Sequence, residues 1–440
     1  YEISECLVGS EMCIRDRGDR TPNELTSYVS DNLRGDPGTT CVLKLERPTA
    51  DSTYIPMELK ITRGTIRTNP VPYYGMVDKN IGYIAISTFA IEGCSKDIKK
   101  ALIELKQQGA TSIVLDLRGN GGGLLSEAVN VVNFFVPKGK EIVVTKGKIK
   151  QAGSTYKTSN EPIDMEIPLT VLVDGATASA AEIVSGSLQD LDRAVIVGNR
   201  TYGKGLVQVP RELPYNSSMK VTTAKYYIPS GRCIQAIDYA KRNADGSVAR
   251  IPDSLTTVFH TAAGREVRDG GGIRPDVEVK AERFPNIMFY LLNDDMIFDY
   301  ATQYCIKHPN IGEVKDFSVT DADYDDFKQM LKKRNFTYDR QSEKSLKNLK
   351  EIAEFEGYME GASEEFAALE KKLTHNLDHE LNRFSKQIRK AIAEEIVKRH
   401  YFQRGVILER MKDDANLTKA IETLKDKEGY TKILSVPADK

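Results

Sequence analysis

Between Asn80 and about Asp190 the chain switches repeatedly between two kinds of apolar pattern. IGYIAIST (81–88) predicts a strand, and residues 94–108 carry Ile98, Leu102 and Leu105 on one helical face. SIVLDL (112–117) and PLTVLVD (168–174) are continuous apolar runs, as expected of strands covered on both faces. A helix is predicted over 124–135 and another from near Ala178, and AVIVG (194–198) is a further buried strand. Strand–helix units of this length, repeated in series, predict a layered α/β domain over residues 69–282. SMKVTTAKYYI (218–228) alternates instead, as an antiparallel strand does.

The flanks differ. A helix is predicted over 22–33, with Pro22 in its first turn and Leu25, Val29 and Leu33 on one face. Gly35, Pro37 and Gly38 then stop it. Strands come next at 41–46 and 57–62, so that Leu25, Val29, Leu33, Val42 and Leu45 are expected to be buried. Such a lobe, residues 18–68, is too small for a core of its own. Residues 1–17 show no pattern continuous with the helix beginning at 22 and are taken as a doubtful, non-native segment. From about Arg283 a helical region is expected to run to residue 440. Its apolar positions from Leu346 to Ile396 step by three and four, broken near Gly357 and Gly361, and need burial.

Composition narrows the function classes. At 440 residues the chain holds two to four domains. Its 62 Lys+Arg and 63 Asp+Glu lack the basic excess of a nucleic-acid binder. The longest apolar stretch, VNVVNFFVP (129–137), is far short of a bilayer span. Membrane association would require an anchor preceding Tyr1, which is not an initiator Met. The cysteines at 6, 13, 41, 94, 233 and 305 show no C-x-x-C spacing and leave the redox compartment open. The five histidines all lie at or beyond His260, so the α/β segment before it can build neither a local Ser-His-Asp triad nor a histidine metal site. His375 and His379 share a helical face but read as exposed surface. No metal and no cofactor are expected.

Three segments carry candidate chemistry. DLRGNGGGLL (116–125) places four glycines between a buried strand and a helix, where backbone amides could cradle a phosphate, a carboxylate or an oxyanion. No Walker or dinucleotide spacing accompanies them. VDGATASAAEI (173–183) puts Ser179 at a strand-to-helix turn, as an N-cap or a nucleophile. RTYGKGLVQ (200–208) flanks Lys204 with glycines, leaving it a solvated turn residue or a side chain drawn into a cleft, where desolvation favours the neutral amine.

In this order and spacing the three segments resemble the C-terminal processing peptidases, or tail-specific proteases. The resemblance extends through GYIAISTF, SLQD, MKVTTAKYYIPSGRCIQ and GGIRPDVEV and covers roughly 18–280. It implies a crotonase-like layered core preceded by a PDZ domain. By this likeness Ser179 is the nucleophile, Lys204 the general base and Gln208 the residue orienting the lysine. The amides of Ala180 and Gly122 would form the oxyanion hole. Gly119 and Gly121 stand where the family often has Asn and Pro. Only the second half of a PDZ domain is recognisable, so a C-terminal peptide is expected to bind little better than its amide. The implied activity is a serine endopeptidase acting on protein substrates with exposed apolar C-termini, in the periplasm or cell envelope. A non-catalytic binding protein and a crotonase-type acyl-CoA enzyme are the alternatives on the same fold.

Overall fold

The computed structural model describes residues 22–435 except 50–52, 67, 149–152, 216, 243–247, 281, 283, 339 and 374–375. Two compact units divide the chain. One comprises Arg67–Ala281 with Asp413–Lys440, the other Tyr1–Ile66 with Glu282–Lys412. The doubtful first seventeen residues and His375 lie outside the described residues.

In the first unit a six-stranded sheet runs Val277–Glu278, Val195–Gly198, Leu169–Val173, Ser112–Asp116, Ile81–Ala85, Tyr73–Asp78. All neighbours are parallel except the last pair. Leu115 lies opposite both Ile84 and Val171, so the unbroken apolar runs become the middle of the sheet. The four middle strands of this sheet, from Ile81–Ala85 to Val195–Gly198, are buried at every residue. Their side chains join Ile98 and Leu102 of helix Cys94–Gln107 and Val131 of helix Leu125–Val132 in one core. Helix Ala180–Asp190 is buried all round, which its small residues Ala180, Ala181 and Gly186 permit. A second sheet of Leu206–Leu213, Ser217–Tyr227, Glu141–Lys146 and Ser154–Lys157 covers one side, and Tyr226 enters the core from it.

Because Ser112–Asp116 and Leu169–Val173 are adjacent and parallel, their carboxyl ends deliver two loops to the same edge of the sheet. These are the glycine loop and the turn bearing Ser179. Leu117 donates its N–H to the Leu172 carbonyl (3.0 Å), and Ala178 donates to the Asn120 carbonyl (2.9 Å). The Thr177 hydroxyl donates to the Leu117 carbonyl (2.9 Å).

The last two described helices, Ala415–Lys425 and Lys427–Leu434, lie within the expected helical region 283–440 but are grouped with the α/β unit. They pack on the sheet of the α/β unit, where Leu417, Ala420 and Leu424 are buried. The apolar spacing identifies a helix but not the core that it joins.

In the second unit, helix Pro22–Leu33 precedes a hairpin of Thr40–Pro48 and Tyr54–Thr62. The Arg63 guanidinium donates to the carbonyls of Leu33 and Asn32, both at 2.8 Å, and caps the helix. Strand alternation turns Cys41, Leu43 and Leu45 toward one face, so Val42, expected inside, is 51% exposed. The remaining helices are Asn286–Asn293, Met296–Lys307, Asp321–Lys333, Gln341–Phe355, Met359–Leu373, Leu377–Arg383 and Ser385–Met411. Leu381, Ile388, Ile392 and Ile396 lie in a core with Ile287, Leu291 and Phe327. The expected burial of the whole stripe fails in its first half, beyond the buried Leu346. Gln341–Phe355 and Met359–Leu373 pack chiefly on each other, which leaves Leu349, Ile352 and Leu369 exposed and Phe355 93% exposed. Among the described residues no helix is long and apolar enough to cross a membrane.

Candidate active site

Ser179 precedes helix Ala180–Asp190 with φ 57° and ψ −118°, a conformation outside the regions open to an L-residue at low energy. Such strain persists only where the surroundings impose it, and here two buried side chains do so. Glu182 Oε2 accepts the Ser179 N–H (2.9 Å) and the Lys204 N–H (2.8 Å). Oε1 accepts the Thr201 hydroxyl (2.5 Å) and the Gly203 N–H (2.8 Å). On the carbonyl side, the Tyr226 hydroxyl is shared between the Ser179 oxygen (3.2 Å) and the Lys204 oxygen. One carboxylate and one phenol therefore clamp the serine turn to the lysine loop through their main chains.

Burial pushes the Glu182 carboxyl upward, opposed by its four hydrogen bonds. Burial, followed by the nearby Glu182 carboxyl, drives the Tyr226 phenol well above its usual range and keeps it a donor. Both Glu182 oxygens face donors only, so a glutamine there sets its NH₂ against N–H or O–H groups in either orientation. Glu182→Gln is expected to lower stability by about 3 kcal/mol. Thermal melting checks this, and a Gln variant as stable as the parent would show the clamp to be dispensable.

The glycine loop comes against the serine turn closely enough that a Cβ on Gly122 would lie 2.8 Å from both Ser179 Cβ and Ala180 N. Gly123, at φ 148°, leaves no room at all: a Cβ would stand 2.1 Å from the Phe89 carbonyl carbon and the Ala90 nitrogen. Gly123→Ala is expected to cost about 3 kcal/mol or more in a denaturant titration, from strain and overpacking together.

The Ala180 N–H has no acceptor among the described residues, whereas the Gly122 N–H already donates to Asn120 Oδ1 (2.9 Å). Gly121 is the loop glycine that lines the adjoining cavity. This cavity, of about 570 Å³, is also walled by Ala178, Tyr202, Lys204, Gln208 and Tyr239. Lys204 is half-buried there. Gln208 lies in the same wall, but its amide is directed to Thr222 Oγ1 at 3.5 Å, and no hydrogen bond to Lys204 forms among the described residues. Ser179 and Lys204 were legible in the sequence, but Glu182, Thr201 and Tyr226 were not singled out. The spacing Ser-x-x-Glu at 179–182 is a capping-box signal that points to Glu182. Tyr226, in an alternating strand, carries no such signal. Among the described residues no His/Cys/Asp/Glu cluster is arranged to hold a metal.

Residues 80–241 match the model of peptidase family S41. Residues 287–424 match one described as the C-terminal helical domain of a probable PDZ-protease. The carboxy-terminal-processing protease of Bartonella bacilliformis is 37% identical over 226 residues, 50% of this chain and 50% of that one. The carboxyl-terminal-processing protease of a Picosynechococcus species is 40% identical over 200 residues, 45% of this chain and 46% of its own. The solved photosystem II D1 C-terminal processing protease is 30% identical, with a TM-score of 0.38, over 59% of this chain and 60% of that one. The chain thus spans about half the length of the curated relatives it matches. The matched segment holds both Ser179 and Lys204, and over it the α/β unit is similar to peptidase family S41. Over about half of its length the chain is similar to carboxy-terminal-processing proteases.

Proposed function

We propose that this protein is a serine endopeptidase that cleaves proteins near or from their C-terminal tails, with Ser179 as nucleophile and Lys204 as general base. The observation that carries the reading is the double clamp of Glu182 and Tyr226, which fixes a strained serine and a cavity-lining lysine to the same two groups. Strain held in this way on a turn between strand and helix presents a hydroxyl outward for attack.

The chemistry follows from the residue types. The Lys204 amine, acting as base, takes the hydroxyl proton as Ser179 Oγ bonds to the carbonyl carbon of the substrate. Charge develops on the carbonyl oxygen, for which the Ala180 amide and an amide of the glycine loop are the donors, each worth about 3 kcal/mol. The C–N bond then breaks, and the lysine returns the proton to the departing amine. Water attacks the resulting ester, Lys204 takes a proton from that water, and Ser179 leaves with it. The apolar wall supplied by Ala178, Tyr202 and Leu206 suits small apolar side chains at the scissile bond. By the family likeness we assign the protein to the periplasm or cell envelope.

The test is a fluorophosphonate probe with the modified residue located by mass spectrometry, run beside digestion of an unfolded protein bearing an apolar C-terminus. Labelling at Ser179 and tail-dependent cleavage are expected. Peptide binding without labelling would favour a ligand-binding role for the fold instead.

A further inference from the structure

A loop built of glycines has few side chains by which the fold can hold it. A Cβ on Gly119 or Gly121 would meet nothing within 4 Å, and Gly119 is held through its N–H, which donates to Asp174 Oδ1 (3.1 Å). The side chains flanking them are Arg118 and Asn120. Asn120 acts inside the site, donating to the Ile86 carbonyl (2.8 Å) and accepting from the Gly122 N–H (2.9 Å). Arg118 reaches out of it.

The Arg118 guanidinium forks twice. Its Nε donates to Asp116 Oδ1 (2.9 Å) and Oδ2 (3.0 Å), and its Nη2 donates to Asp116 Oδ2 (2.5 Å). Nη1 donates to Asp414 Oδ1 (3.0 Å), and Nη2 to Asp414 Oδ2 (2.7 Å). Both carboxylates have side chains only 8% exposed, where a charge-assisted fork is strong and directional. The two partners differ in what they can restrain. Asp116 is two residues from Arg118 on the same segment, and its Oδ1 also takes the Arg118 N–H. Asp414 is 296 residues away and caps helix Ala415–Lys425, its Oδ1 accepting the N–H groups of Asn416 and Leu417, both at 3.0 Å. That helix lies on the same sheet. Asp116 Oδ2 also accepts the Tyr83 hydroxyl (2.6 Å) of the neighbouring strand, so of the two carboxylates Asp414 is the one that ties the entry of the glycine loop to a helix rather than to the sheet itself.

We propose that Asp414 is a positioning residue for the oxyanion loop, acting through Arg118 from the cap of the helix docked on the sheet. The proposal rests on the reading of Ser179 as nucleophile with the glycine loop as oxyanion donor. The last helices of the chain then help set the catalytic geometry as well as cover the sheet.

The test uses the full chain. Asp414→Asn keeps an oxygen for the helix cap but loses the ionic fork, and Asp414→Ser keeps a cap acceptor too short to reach the guanidinium. Tyr430→Phe is the comparison. The Tyr430 hydroxyl accepts from the Leu169 N–H (2.9 Å) and donates to its carbonyl (3.1 Å), so its loss loosens the same segment without touching Arg118. Each protein is melted, and its inactivation by a fluorophosphonate is resolved into probe affinity and maximal rate. Asp414→Asn and Asp414→Ser are expected to slow the maximal rate about tenfold to hundredfold with affinity unchanged. Tyr430→Phe should melt lower yet react at the parent rate. Should the Asn variant not fold, the Ser variant carries the test alone. Parent-rate labelling by a folded Asp414 variant, or equal slowing by Tyr430→Phe, overturns the proposal and leaves Asp414 a docking residue. A parent that labels nowhere overturns the nucleophile reading on which the proposal stands, and the two failures are told apart by the parent alone.

Discussion

Ser179→Ala is expected to reduce tail cleavage at least about ten-thousandfold while leaving the protein folded. The change removes only Oγ. What holds the turn is main chain: the Ser179 N–H on Glu182 Oε2 and the Ser179 carbonyl under the Tyr226 hydroxyl, both of which alanine retains. Alanine also carries a Cβ, so the strain at φ 57° stays as it was. Residual turnover would come from the amides that meet the developing oxyanion, which need no hydroxyl. Ser179→Gly separates the two properties of the residue. It loses the nucleophile equally but releases the strain, and should melt higher than Ser179→Ala by the equivalent of about 1 kcal/mol. Steady-state cleavage and thermal melting on the three proteins read both effects. An alanine variant that cleaves at the parent rate would remove Ser179 from the chemistry altogether.

The parallel sheet was readable because strands covered on both faces must be apolar at every position, and 112–117 and 168–174 are. The edge strand Tyr73–Asp78 is half-buried throughout and carries neither an apolar run nor a clean alternation. In the second sheet, mixed burial blurs the period of Glu141–Lys146, and Ser154–Lys157 is exposed at every residue and so has no apolar face to read. At Val42 the error was one of phase. Val42 and Leu45 are three apart and cannot share a strand face, although both are apolar. The helix at 415–425 shows its buried positions plainly in Leu417, Ala420 and Leu424, yet periodicity says only that a face is covered. Which core covers it depends on contacts nearly 300 residues apart, such as Arg118 with Asp414.

The site divides in the same way. Ser179 and Lys204 sit in short motifs with turn residues around them, and motifs are local. Glu182 acts by collecting donors from 179, 201, 203 and 204, a convergence that exists only after helix and loop have met. The oxyanion hole shows the limit of reading roles from position alone. Gly122 comes close to Ser179, but its amide, the oxyanion donor that the likeness to the family implies, donates to Asn120 Oδ1. Gly121 is the glycine at the cavity.

Lys204→Arg is expected to be nearly as damaging as Lys204→Ala, each lowering the maximal rate about a thousandfold with little change in KM. The main chain at this position is fixed from both sides, since the Lys204 N–H is held by Glu182 and its carbonyl by Tyr226. Its neighbours are packed as tightly: a Cβ on Gly203 would lie 2.3 Å from Ala236 Cβ, and one on Gly205 2.8 Å from the Gln235 nitrogen. Either replacement therefore enters a loop whose backbone stays in place, and the loss reads the side chain alone. Arginine keeps length and charge but cannot give up its proton near neutral pH, so a role as base is lost while a role as fixed cation is kept. The alanine variant adds a second reading. It opens space in a cavity of about 570 Å³, and a small primary amine in the assay should restore part of the rate to Lys204→Ala but not to Lys204→Arg, whose side chain still fills the place. An arginine variant within tenfold of the parent would mean that position 204 supplies charge rather than proton transfer. Loss of activity without rescue by any amine, in a protein that still labels at Ser179 at the parent rate, would move the base to another residue.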